Sequence, residues 1–154
     1  MSMIFRLIGM SALQKTMASR HKALTHRRNV NKSAVVLVDR FIQKNFQQQG
    51  ALTTPGGWKP LALTTIKARR KGKGKGTPKI LIDKGWLRQK WKHFYSHSIG
   101  KVTSEARGVK SGVFYGVFHD EGRGVPQRKI IPAQRHVKSD IEKLYQTFID
   151  STVK

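Results

Sequence analysis

Apolar side chains recur along this chain with two different periods, and the change of period divides it. Met3, Leu7, Met10, Leu13 and Met17 fall three or four residues apart. That spacing lines one face of a helix, so residues 3–22 predict an amphipathic helix. His26-Arg27-Arg28-Asn29 interrupts the pattern. A second stripe follows in Val30, Ala34, Leu37, Val38, Phe41, Ile42 and Phe46, with Lys32, Arg40, Gln43, Lys44 and Gln47 mostly opposite. Gly50 stands just past its end, where a helix C-terminus favours a residue without a Cβ.

Pro and Gly then make residues 50–60 a loop. Leu63 to Arg70 predicts a short helix, and glycine at every second position makes 71–78 another loop. Asp83 to Trp91 predicts a turn or two of helix capped by Asp83. From Trp91 to Val117 the texture is β-rich and aromatic, punctuated by Gly100, Gly108, Gly112 and Gly116. Short antiparallel strands fit it. Ser139-Asp-Ile-Glu142 has capping-box spacing, and Ile141, Leu144, Tyr145, Phe148 and Ile149 repeat at helical intervals.

Together these elements predict an α+β fold. N-terminal amphipathic helices and a C-terminal helix pack on a small antiparallel sheet, with a long basic Gly/Lys loop. The length of 154 residues fits a single domain. Its parts are a helical N-terminal region (1–49), a loop-rich basic segment (50–80), a strand-rich part (81–138) and a C-terminal helix (139–152).

Composition removes several function classes. The aromatic content is too high for a disordered basic tail. The absence of cysteine excludes a disulfide scaffold and any cysteine-ligated zinc site. The apolar start is broken by Arg6, is followed by no small-residue cleavage site, and is too short to span a bilayer. No membrane partner is expected, although a basic helix lying on an anionic membrane surface is a third-ranked reading.

Charge narrows the partner. Of the net +23, residues 1–119 carry 24 cations against Asp39, Asp83 and Glu105, whereas residues 120–154 carry seven cations against five acids. Lys67, Arg69, Arg70, Lys71, Lys73 and Lys75 place six cations in nine positions, inside an acid-free stretch from Arg40 to Ile82. Self-repulsion on this scale is relieved by a polyanion or an acidic protein surface. The tract lacks the G-x-x-x-x-G-K-[ST] spacing of a P-loop. It suits a cationic loop that follows a phosphate backbone without reading sequence.

Catalytic chemistry is poorly supplied. His119-Asp120-Glu121 is the one dense titratable cluster, but adjacent residues point in different directions and do not by themselves form a metal site or a triad. There is no H-E-x-x-H, no G-x-S-x-G and no cysteine nucleophile. Catalytic residues, metal ligands and cofactors are therefore not expected, and the protein reads as a non-enzyme. Trp58, Trp86, Trp91, Phe94 and Tyr95 lie among basic positions, as in single-strand binders that stack bases. Core packing is the favoured role for Trp86, Trp91 and Phe94.

Four segments in order resemble the phage virion morphogenesis family, the tail-completion or neck proteins of tailed phages. They are Gly56-Gly57-Trp58-Lys59-Pro60-Leu61 with Thr65 and Lys67; Ile80-Leu81 with Gly85, Leu87 and Arg88; Tyr115-Gly-Val-Phe-His119 with Gly122; and Ile131-Pro132-Ala133 with Arg135. The match departs from the family at Asp120 and Glu121 and at Gln134, which separates Ala133 from Arg135.

The resemblance implies assembly roles for Trp58, Pro60, Leu61, Gly85, Leu87, Tyr115, His119, Gly122, Pro132 and Arg135. It implies a structural subunit forming a homo-oligomeric ring, expected to be hexameric, in the neck or upper tail of a virion built in the host cytoplasm. Connector, tail-terminator or tail-tube proteins would be its neighbours, with DNA crossing the lumen. Lys67 to Lys75 would then face DNA or an acidic neighbour. The alternative is a stand-alone basic nucleic-acid-binding protein.

Overall fold

A computed structural model describes residues 10–71, 79–82, 85–107, 112 and 114–153. Six helices and one two-stranded sheet are ordered α1 (Met10–Thr25), α2 (Arg28–Gln47), α3 (Leu63–Lys71), α4 (Trp86–Gln89), β1 (Trp91–Tyr95), β2 (Gly100–Ser104), α5 (Tyr115–Glu121) and α6 (Gln134–Val153). The fold is α+β.

The long stripe predicted for the second helix is the spine of the molecule. α2 buries Val30, Val35, Ile42 and Phe46, and the last two sit at 1% and 0% exposure. Burying a side chain of this size contributes about 1.5–3 kcal/mol. One side of α2 packs on the hairpin, whose strands pair antiparallel from Trp91↔Ser104 to Tyr95↔Gly100. Such a hairpin is marginal alone and needs a packed face. Asn31 Nδ2 fastens its turn by donating to the Ser96 carbonyl at 2.9 Å, and Gln43 Nε2 ties α4 to α2 by donating to the Arg88 carbonyl at 3.0 Å. Gly100 lets the backbones close, since a Cβ there would lie 2.9 Å from Val35 Cγ2.

α6 runs antiparallel to α2. Its start stacks His136 on Phe41 with ring centroids 5.8 Å apart, and its later turns bring the Tyr145 hydroxyl to Asn31 Oδ1. The main core forms where the end of α2 meets the loop after it. Ile42, Phe46, Trp58, Leu87, Ala106 and Ile130 are buried together there. Phe46 and Trp58 meet edge to face at 5.3 Å.

Several expectations require correction. Tyr115 to Val117 belong to helix α5, not to a strand. Gly116 sits where a Cβ would come within 2.9 Å of Leu87, and Gly122 closes the helix at φ 76° with its N–H on the Phe118 carbonyl. The part from 81 to 138 thus holds two five-residue strands beside α4, α5 and the start of α6.

α6 begins at Gln134 rather than 139, so Ser139 and Glu142 are interior. Its first turn uses another device: His136 Nδ1 accepts the Ala133 N–H at 3.1 Å, doing what the acidic member of a capping box does. Gly85, in the left-handed region at φ 80°, occupies the cap position of α4; Asp83, expected there, lies outside the described residues. Trp86 and Phe94 are surface residues, 43% and 57% exposed, because α4 and β1 turn them away from the core. The first helix is described from Met10, and residues 3–9 of the predicted span lie outside the described residues.

Candidate functional site

The loop after α2 and the loop after α5 meet at one junction, and residues from all four motifs meet there. α2 ends at Gln47. Gln49 Oε1 then accepts the Ile80 N–H at 2.6 Å, while Gly50 (φ 88°) crosses the face of Trp58. A Cβ on Gly50 would fall 2.2 Å from Trp58 Cδ1. The Lys129 carbonyl receives three donors: Asn45 Nδ2 at 3.1 Å, Thr53 Oγ1 at 2.7 Å and Trp58 Nε1 at 3.0 Å. Trp58 is 3% exposed.

From the other side, α5 grips the same segment. The His119 carbonyl accepts the Arg128 N–H at 2.6 Å. Asp120 Oδ1 accepts the N–H groups of Ile130 at 2.7 Å and Ile131 at 3.1 Å. Arg128, 4% exposed, threads between the loops. It donates through Nε and Nη2 to the Lys59 carbonyl at 3.3 and 3.2 Å, and through Nη1 to His119 Nδ1 at 3.4 Å. That last contact assigns the His119 proton to Nε2, because an accepting nitrogen carries no hydrogen.

Among the described residues no carboxylate pairs with Arg128, and the field of Arg69 reaches both it and His119. Burial, then Arg128, then Arg69 hold the His119 pKa below its ordinary value. Burial, followed by Arg69, lowers that of Arg128, which stays cationic at neutral pH because a guanidinium does not give up its proton in proteins. Arg69 reaches back from α3 and donates to the Lys79 carbonyl at 3.0 Å. Lys67, Arg70 and Lys71 on the same helix are exposed. The junction therefore borders a cationic surface. Lys73 and Lys75 lie outside the described residues.

The other motif residues take local parts. Leu87 is buried at 3% and Leu61 packs on the same core. Pro60 is exposed and Pro132 half-buried. Tyr115 opens α5 and Gly122 closes it. Arg135 is exposed, with Nε 3.3 Å from His136 Nε2. Sequence reasoning did not single out Arg128, Asn45 or Thr53. A lone arginine between Gln127 and Lys129 carries no local signal, and Asn45 lies on a helix face that periodicity marks by its apolar members.

Among the described residues no group of three or more His, Asp or Glu is placed to hold a metal ion, and no helix is long and apolar enough to cross a membrane. The arrangement supplies fixed positive charge and backbone clamping. Exposed apolar side chains adjoin it, with Val117 at 43%, Phe118 at 39% and Ile131 at 55% exposure.

No family model, curated protein or solved structure matches this chain. The resemblance to the virion morphogenesis proteins rests on the four motifs themselves.

Proposed function

We propose that this chain is a non-enzymatic structural subunit of a tailed phage, acting in head–tail joining or tail completion as one member of a ring around the DNA channel. The supporting observation is the convergence of the motifs. Trp58 reaches the Lys129 carbonyl, Arg128 ties His119 to Lys59, and Leu87 and Trp58 share one core. Residues scattered from 57 to 122 thus define one packed unit, as fold-bearing motifs of a family do.

Two physical features agree with an assembly role. Large apolar side chains at the surface suit burial between subunits. The cations of α3 would neutralise passing phosphates without sequence readout, which suits transit of any DNA. The neighbours are connector, tail-terminator or tail-tube proteins of the virion.

A second reading, a stand-alone nucleic-acid-binding protein, draws on one observation. Phe94 is 57% exposed on β1, across the ladder from Lys101, the combination that stacks and neutralises a single strand.

The test is deletion of the gene in its phage. Filled heads and tails that fail to join support the assembly reading. Normal joined particles refute it, and a monomer binding free DNA tightly at moderate salt favours the second reading.

A further inference from the structure

The exposed side of α2 carries one chemistry along its whole length. Seven of its side chains are exposed: the cations Arg28, Lys32, Arg40 and Lys44, and the neutral hydrogen-bond donors Asn29, Ser33 and Gln47. None is an acid. The acid of this helix, Asp39, is half-buried and turned to His93 Nε2 at 3.5 Å. Asn29, Ser33, Arg40, Lys44 and Gln47 recur at intervals of three, four or seven residues, which sets them on one face. Arg28 and Lys32 border that row on the hairpin side, 5.7 and 5.9 Å from the centroid of the Tyr95 ring.

Beside the row, α2 and α6 flank a groove of about 730 Å³. Lys32, Arg40 and Lys44 line it against one acid among the described lining, Asp140. None of these three cations is in an ion pair with a described residue. The apolar members of the same lining, Val36, Leu37 and Phe41, are half-buried, and Phe41 already stacks on His136. What this surface offers outward is donors and positive charge rather than apolar area.

We infer that this face of α2 binds the sugar-phosphate backbone of duplex DNA without reading its sequence. Phosphate oxygens accept from this mixture of Lys, Arg, Ser, Asn and Gln side chains. An acidic protein helix would also need open apolar contacts, which the half-buried Val36, Leu37 and Phe41 do not supply. From Asn29 to Gln47 the row runs about 27 Å at 1.5 Å per residue, the length of about eight base pairs at 3.4 Å each. The inference rests on DNA being a partner, which both readings above share, and adds a second contact surface to the cations of α3.

Fluorescence anisotropy of a short labelled DNA duplex with the full-length protein, repeated across salt concentrations, tests it. Replacing Lys32, Arg40 and Lys44 together by Gln should reduce the slope of log K against log salt by about two to three. Removing the same charge elsewhere, by Lys90→Gln, Lys138→Gln and Lys143→Gln, should change the slope by less than about one. Asn29→Ala with Ser33→Ala should weaken binding about threefold to tenfold at an unchanged slope, since neutral donors release no counterion.

Equal slope changes in the two triple variants would mean that only net charge matters, and would overturn the site. Unchanged affinity in the Asn29 and Ser33 variant would overturn it as well. An unchanged slope in the α2 triple variant, with a loss when the α3 cations are neutralised, overturns the α2 surface and leaves DNA as the partner. A wild-type chain that fails to bind the duplex at low salt overturns both and assigns the row to an acidic protein surface.

Discussion

Replacing Trp58 separates the packing of its indole from the hydrogen bond it donates. The side chain is 3% exposed and meets Phe46 edge to face. Trp58→Ala therefore loses most of a buried aromatic side chain and should cost about 3–5 kcal/mol. Trp58→Phe keeps an aromatic ring, loses the smaller ring's volume and removes the Nε1 donor. The vacated Lys129 oxygen is not orphaned, because Thr53 and Asn45 still donate to it. The bond then contributes only the low end of its usual range, about 0.5 kcal/mol, and lost packing adds about 1–1.5 kcal/mol.

The sum, about 2 kcal/mol, corresponds to a fall in Tm of about 4–8 °C for a chain this size. Urea unfolding followed by circular dichroism measures both variants. Equal losses for Phe and Ala would mean that the donor, not the packing, carries the site. A loss under about 1 kcal/mol for Ala would mean that Trp58 is not core at all.

Gly50→Ala should cost about 2–4 kcal/mol, because it combines left-handed backbone strain with a Cβ driven into the indole; unchanged urea stability would contradict that close approach. The depressed His119 pKa makes the unfolded chain the better proton binder near and below pH 6.5. Its contribution to stability is therefore full above that pH and lost as pH falls through it toward the folded value. NMR titration should show this imidazole titrating below the ordinary histidine value, and Arg128→Met should shift it part of the way back, since burial remains. Neutralising Lys67, Arg70, Lys71, Lys73 and Lys75 should reduce the slope of log K against log salt for duplex DNA by up to about four. An unchanged slope would assign these cations to a protein neighbour.

The long helices were legible because their apolar faces are long and regular. In α2 the predicted stripe is buried at Val30, Ile42 and Phe46 and half-buried at Ala34, Leu37, Val38 and Phe41, while Val35, outside the stripe, is buried as well. Helix α5 was not legible: Tyr115, Val117 and Phe118 have strand-like preferences, and the contact of Gly116 with Leu87 and the cap at Gly122 override them. The start of α6 was displaced because its N-terminal device is a histidine, His136, rather than an acid. For the junction, Trp58 and His119 could be named through the motifs. Arg128 could not, since what marks it is tertiary: two loops distant in sequence close over one guanidinium. The surface positions of Trp86 and Phe94 were likewise hidden, because apolar identity does not say which way a short element turns its face.

The central claim is that this 17.5 kDa chain works as a ring subunit, and native mass spectrometry of the full-length protein across concentration and salt tests it most directly. A discrete closed oligomer, expected to be a hexamer, is the predicted result. A protein that remains monomeric at every concentration and in the presence of DNA would contradict it.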